Sequence, residues 1–162
     1  RIEIMTKYSE IANTQKSDMH TWLLYISHNE KSHLDRFGIK EHFDRYYWDW
    51  VRVDRQRCLI YEHFLGTIRL SKFVLCPRGN AIDCHRNWEV LYMRRVPVMK
   101  RNPYFETLFK DYPVLFVDSY FDITKELLIE NNYLYQQAQT MDLGGLTLPY
   151  FYDKIVEDGL SQ

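Results

Sequence analysis

The sequence predicts an α/β fold, a parallel sheet with helices on both faces, and three observations carry that expectation. The chain has 162 residues, the size of one ordinary domain. Its composition is globular, with 46% hydrophobic, 16% aromatic and 27% charged residues. Short apolar runs alternate along it with segments of helical spacing, in the order strand, helix, strand, helical turn, strand, helix, which is the signature of strands joined by helical crossovers.

Taken in order, residues 1–20 are polar with little periodicity and read as a lead-in or linker, which leaves 21–162 as the domain. Trp22 to Ser27 is a nearly continuous apolar run of the kind seen in strands covered on both faces. His28 to His33 makes a polar loop, and Leu34, Phe37 and Ile39 suggest a helix over 32–42 broken near Gly38. The aromatic stretch Arg45 to Val51 fits a second strand or a packed loop equally well. Arg55 to Leu70 has helical spacing, with Cys58, Leu59, Tyr61, Leu65 and Ile68 on one face. Phe73 to Cys76 is a buried-strand run stopped by Pro77, and Asp83 is the expected N-cap of a helix from Cys84 to Arg94. Val96 to Met99 is a strand that tolerates Pro97 only near its start or on a bulge. Tyr104 to Phe109 forms a helical turn and Val114 to Val117 a strand ending at Asp118. Asp118 and Asp122 are read as caps of the next helix, which runs to Gln137.

Several function classes are disfavoured at once. The 21 basic and 22 acidic side chains leave a formal charge of −1, so no global field gathers nucleic acid, and any anion site must be local. Cys58, Cys76 and Cys84 make no even disulfide framework, lack zinc spacing and are read as reduced. The longest apolar run, Trp22 to Ile26, is far short of the ~20 residues that cross a bilayer. The sequence begins at Arg1, so the lack of a targeting segment says little about compartment.

The chemistry concentrates between Ser71 and Glu89. There a strand runs into a turn containing Gly79, and the turn into a helix whose start carries His85 and Arg86. Backbone N–H groups, the positive end of the helix dipole and basic side chains converge, which makes a candidate anion pocket at the carboxyl end of a parallel strand. Glu89, four residues after His85, lies on the same helical face and can accept hydrogen bonds from ribose hydroxyls. The plain structural alternatives are a salt bridge from Glu89 to His85 or Arg86, a surface turn for Arg78 and a capping role for His85. Trp88 and Leu91 fall on another stripe and anchor the helix to the sheet.

The stretch Ser71 to Val98, read as S-K-F-x-L-x-P-R-G-N-x-x-D-x-H-R-x-W-E-x-L-Y-x-x-x-x-P-V, resembles the nucleotide-sugar-binding segment of the exostosin-like glycosyltransferases. The similarity continues more loosely through Tyr112 to Asp118 and through the strand at Trp22 to Ser27. The resemblance implies a Rossmann-like domain, the C-terminal donor-binding half of a two-lobed GT-B enzyme whose N-terminal lobe brings the glycan acceptor and the catalytic base. It implies that Arg78 and Arg86 neutralise the donor diphosphate, that His85 hydrogen-bonds it and that Glu89 holds the ribose. Gly79, Asn80 and Asp83 would join them as donor-binding residues, and Arg36 would be a further phosphate contact. The implied reaction is inverting transfer from a nucleotide sugar, UDP being the expected carrier, to a hydroxyl acceptor. No metal or other cofactor is expected, and no Asp-x-Asp pair of the kind that holds Mg²⁺ or Mn²⁺ is present. Two positions depart from the pattern: Ala81 stands where glycine is usual, and Arg94-Arg95 replace small residues at the helix end, where their charge suits the dipole.

Two other readings compete. A non-catalytic module would bind nucleotide sugar without transferring it. A carbohydrate-binding surface would use Tyr46, Tyr47, Trp48 and Trp50 as stacking platforms, although core packing is the commoner use of such residues. His85-Arg86-Asn87 has only a faint likeness to a kinase catalytic loop, and no Gly-rich loop or Asp-Phe-Gly accompanies it.

Overall fold

The computed structural model describes residues 22–47, 49–55, 60–80 and 83–146. The lead-in, Trp48, Cys58, Leu59 and Ala81 lie outside the described residues, as does the chain beyond Leu146. Five strands, β1 (Trp22–Ile26), β2 (Val51–Val53), β3 (Ser71–Leu75), β4 (Val96–Lys100) and β5 (Leu115–Val117), form one sheet in the order β2-β1-β3-β4-β5. Every pair is parallel. Helices α1 (Ile39–Asp44), α2 (Tyr61–Arg69), α3 (His85–Tyr92), α4 (Pro103–Leu108), α5 (Lys125–Glu130) and α6 (Asn132–Thr140) cover it. The fold is α/β and Rossmann-like, as the alternation of patterns predicts.

Two cores form because side chains alternate across each strand. Leu24 and Ile26 of β1 and Phe73 and Leu75 of β3 face one side, where Ile39 and Phe43 of α1, Leu128 of α5 and Ala138 of α6 meet them. Tyr25 and Val74 face the other, against Phe64, Leu65 and Ile68 of α2 and Val90 and Leu91 of α3. Trp88 stacks on Phe109 at 4.8 Å between ring centroids and joins this second core. A fully buried Leu or Phe of this kind contributes roughly 1.5–3 kcal/mol, which is why β3, in the middle of the sheet, is apolar on both sides.

Pro97 sits second in β4 without breaking the ladder. The Val98 carbonyl accepts from Cys76 N, so the main chain of Val98 faces β3 and that of Pro97 faces the other way. The ladder with β5 begins only at Val98, so the missing N–H of Pro97 has no rung to supply.

The structure corrects several expectations. Leu34 and Phe37 do not line a helix facing inward; they are 89% and 78% exposed on a 3-10 turn (Leu34–Arg36). Gly38, at φ +74°, ends that turn and starts α1 on a new axis, a conformation few residues other than glycine adopt. The second strand is Val51–Val53, downstream of the aromatic stretch, and α2 begins at Tyr61 rather than Arg55. Asp83 is not the N-cap of α3. Cys84 holds that position, and Asp83 instead accepts from the Asn87 side chain and from Trp88 Nε1, each at 3.2 Å.

Nor do Asp118 and Asp122 cap a helix. Asp118 pairs with Arg101, and Asp122 closes a 3-10 turn (Tyr120–Asp122); Thr124 is the cap, accepting from Leu127 N at 3.2 Å. The single helix expected to reach Gln137 is two, broken at Asn131, whose side chain bonds back to the Leu127 carbonyl at 2.9 Å.

Arg94 and Arg95 do more than suit a dipole. Arg94, at φ +54°, takes the left-handed position after α3, where Arg94 N donates to Leu91 O and Arg95 N to Val90 O, the paired bonds of a Schellman closure. Their guanidinium groups then satisfy carbonyls at other helix ends. Arg94 reaches Gln139 and Met141, and Arg95, 5% exposed, reaches Arg69 and Met93.

Candidate functional site

Strand order locates the site. The chain passes from β1 to β2 on one side and enters β3 on the other, so the loops after β1 and β3 diverge and leave a crevice at their carboxyl ends. Three described pieces border it: the loop 27–38 after β1, residues 76–80 after β3, and the first turn of α3.

Arg36 ties two of these pieces together. Its Nε donates to the Arg78 carbonyl at 2.6 Å and a terminal nitrogen to the Pro77 carbonyl at 2.8 Å, while the other terminal nitrogen reaches Ser32 Oγ at 2.8 Å. A Cβ on Gly79 would stand 3.2 Å from this guanidinium, so the turn closes against Arg36 because residue 79 has no side chain.

Arg86, in the first turn of α3, lays its guanidinium over the Phe64 ring at 5.0 Å. Among the described residues its Nε and one terminal nitrogen are buried with no hydrogen-bond partner, and so is Nε of Arg78. Burial first, and then the charge of Arg86, lowers the pKa of the Arg36 guanidinium. Lys40 is lowered by burial, with Glu30 and Asp54 opposing the shift and Arg86 adding to it. The positive groups therefore feel one another, a state that favours an incoming anion.

His28, 6% exposed and two residues after β1, belongs to the same cluster. Its Nε2 lies 3.3 Å from the Arg36 carbonyl, which can only accept, so Nε2 carries the proton. Burial, with help from the charges of Lys40, Arg86 and Arg36, holds the ring neutral, its pKa pushed down from 6.5 to about 3.

Glu89 lies one helical turn behind Arg86, 5% exposed, and accepts from the Tyr61 hydroxyl at 2.9 Å. Tyr61 stacks on Phe64, so Arg86, Phe64, Tyr61 and Glu89 form a continuous contact chain. Cys76, at the end of β3, feels Arg86, Glu89 and Arg36 at once, although burial is the main reason its thiol pKa is raised. Beyond β2, Tyr25 donates to Asp54 at 2.5 Å.

Of the residues expected at the site, the structure thus gathers Arg36, Arg78, Gly79, Arg86 and Glu89 around the crevice. His85 is exposed at the first position of α3 and Asn80 is exposed on the turn. Asp83 is spent on Asn87 and Trp88 and pins the turn to the helix. Sequence reasoning missed His28, Lys40, Asp54, Tyr61 and Phe64. His28 and Asp54 each follow a strand, a position that marks them once the strands are parallel. Tyr61 and Phe64 carry no local signal, because tertiary packing alone brings α2 to α3.

Of the aromatic stretch, Tyr46 is exposed while Trp50 and Tyr47 are engaged. Trp50 is 5% exposed against Phe43, and Tyr47 accepts from Arg52 at 2.8 Å. Among the described residues no group of three His, Cys, Asp or Glu side chains is placed to hold a metal ion, and no helix is long and apolar enough to cross a membrane. No protein-family model matches the chain, and no curated protein matches it.

Proposed function

We propose that the chain is the donor-binding lobe of a GT-B glycosyltransferase that takes its sugar from a nucleotide-linked donor, with UDP as the carrier, and passes it with inversion to a hydroxyl acceptor. One observation carries the reading: at the crevice between β1 and β3, Arg78 on the turn and Arg86 at the start of α3, one turn from a sheltered carboxylate, hold buried guanidinium nitrogens with no hydrogen-bond partner among the described residues. A buried donor left unmet costs ~1–3 kcal/mol. A diphosphate would meet these donors, and Glu89 is sited to accept from ribose hydroxyls beyond it.

On this reading the chemistry is electrostatic. As the bond from the sugar to the β-phosphate breaks, negative charge grows on the departing nucleoside diphosphate, and the fixed charges of Arg78 and Arg86 with the α3 dipole stabilise it. His85, exposed at the same helix end, adds a hydrogen bond. The base that deprotonates the acceptor belongs to an acceptor lobe and is assigned to no residue here.

Calorimetric titration with a panel of nucleoside diphosphates tests the site. UDP is expected to bind, and Glu89→Ala to weaken it; a panel in which nothing binds overturns the reading. Release of UDP from UDP-sugars in the presence of glycan acceptors then separates a transferase from a module that only binds.

A further inference from the structure

We infer that Arg36 is a positioning residue, which aims the backbone N–H groups of Arg78 and Gly79 at the bound diphosphate by drawing the Pro77 and Arg78 carbonyls onto itself. The inference rests on the donor-site reading above and deepens it. In a planar trans peptide the C=O of one residue and the N–H of the next point in opposite directions, and no peptide bond here is cis. The Pro77 carbonyl shares its peptide with Arg78 N–H, and the Arg78 carbonyl with Gly79 N–H. Both carbonyls are hydrogen-bonded to one guanidinium, at 2.8 and 2.6 Å. Both N–H groups are therefore turned away from Arg36, side by side.

Two further observations fit this arrangement. The loop hydrogen bonds run from Cys76 N to Val98 O and resume at Asn87 N to Cys84 O, and neither Arg78 N nor Gly79 N donates within the described residues. Adjacent N–H groups in a turn that converge on one side form an anion-binding concavity, and among the described residues the Nε of Arg78 and two guanidinium nitrogens of Arg86, whose charge reaches Arg36, are buried without a hydrogen-bond partner. Arg36 itself has little left for a phosphate: Nε and both terminal nitrogens are engaged, with Arg78 O, Pro77 O and Ser32 Oγ. Its role is thus distinct from the direct contact that the family resemblance implies. It removes two negative carbonyl ends from the anion's side of the turn and lends its charge from behind.

The fork geometry matters more than the charge. A lysine keeps the charge but, as a point donor, cannot hold two carbonyls of successive residues in one plane. The test uses the full chain, labelled with ¹⁵N, with UDP as the probe. On saturation with UDP the Arg78 and Gly79 amide protons are expected to move downfield, as hydrogen bonds to an anion form. Arg36→Lys should lose these shifts and weaken UDP by about tenfold or more, as Arg36→Gln does, with thermal unfolding still cooperative. UDP affinity retained in Arg36→Lys, or UDP bound by the wild type with those two amides unmoved, overturns the positioning role and leaves the donor site standing. The wild-type amide shifts decide the matter even if a variant fails to fold. No UDP binding by the wild type overturns the donor-site reading itself.

Discussion

His28 shows what a single buried side chain does to the whole molecule. Its ring is kept neutral chiefly by burial and by three neighbouring cations, with a pKa pushed down from 6.5 to about 3, whereas in the unfolded chain it titrates normally. Below pH 6.5 the unfolded chain takes up a proton that the folded protein refuses, so folding is favoured above that pH and loses ground as pH falls toward 3. The slope from this one group is at most about 1.4 kcal/mol per pH unit. Unfolding by urea across that range should show it, and His28→Gln should flatten the profile. An unchanged slope in the variant removes His28 as the origin. Part of the site was legible at this scale and part was not. Arg78, Arg86 and Glu89 fall within one local turn and helix, where spacing alone puts them together. His28 in the loop after β1 and Lys40 in α1 were not legible, and Arg36 was expected only from the family resemblance; it meets Arg78 across 42 residues, a distance over which periodicity carries no information.

Elements were easier to place than their ends. The apolar runs at Trp22, Phe73, Val96 and Val114 all became strands, because a buried parallel strand needs apolar side chains on both faces and little else looks like that. Helix starts differ from the sequence expectation where more than one capping residue is available. Asp122 precedes α5, but the 3-10 turn ending at Asp122 carries the chain past it, and Thr124 reaches Leu127 N. Thr124→Ala should therefore cost about 1 kcal/mol in chemical denaturation, while Asp122→Ala should stay within about 0.5 kcal/mol. Equal losses, or the reverse order, would place the cap elsewhere. The same competition misplaced the start of α3, where the Asp83 carboxylate prefers an amide and an indole N–H four and five residues on. Helix α1 failed differently: its apparent apolar stripe ran through Gly38, and a left-handed residue there resets the helix axis and leaves Leu34 and Phe37 in solvent.

At the scale of the whole molecule, strand order turns a balanced charge into a local one. The chain carries 21 basic and 22 acidic groups, yet beside the crevice that the order β2-β1-β3-β4-β5 opens, the charge of Arg86 reaches both Arg36 and Lys40, and Arg36 holds the Arg78 carbonyl. Parallel strands were predictable from the alternation of patterns; their order was not, since every neighbour relation depends on contacts distant in sequence. That order gathers into one candidate anion site a turn and a helix that alone would be an ordinary surface feature. The most direct test is calorimetric titration of UDP into the wild-type chain and into Arg86→Ala at fixed low salt. The wild type is expected to bind and the variant to lose at least about tenfold in affinity, the loss of a charge-assisted contact worth ~1.5–3 kcal/mol. Equal affinity in the two proteins, or no binding to the wild type, would contradict the donor-site reading.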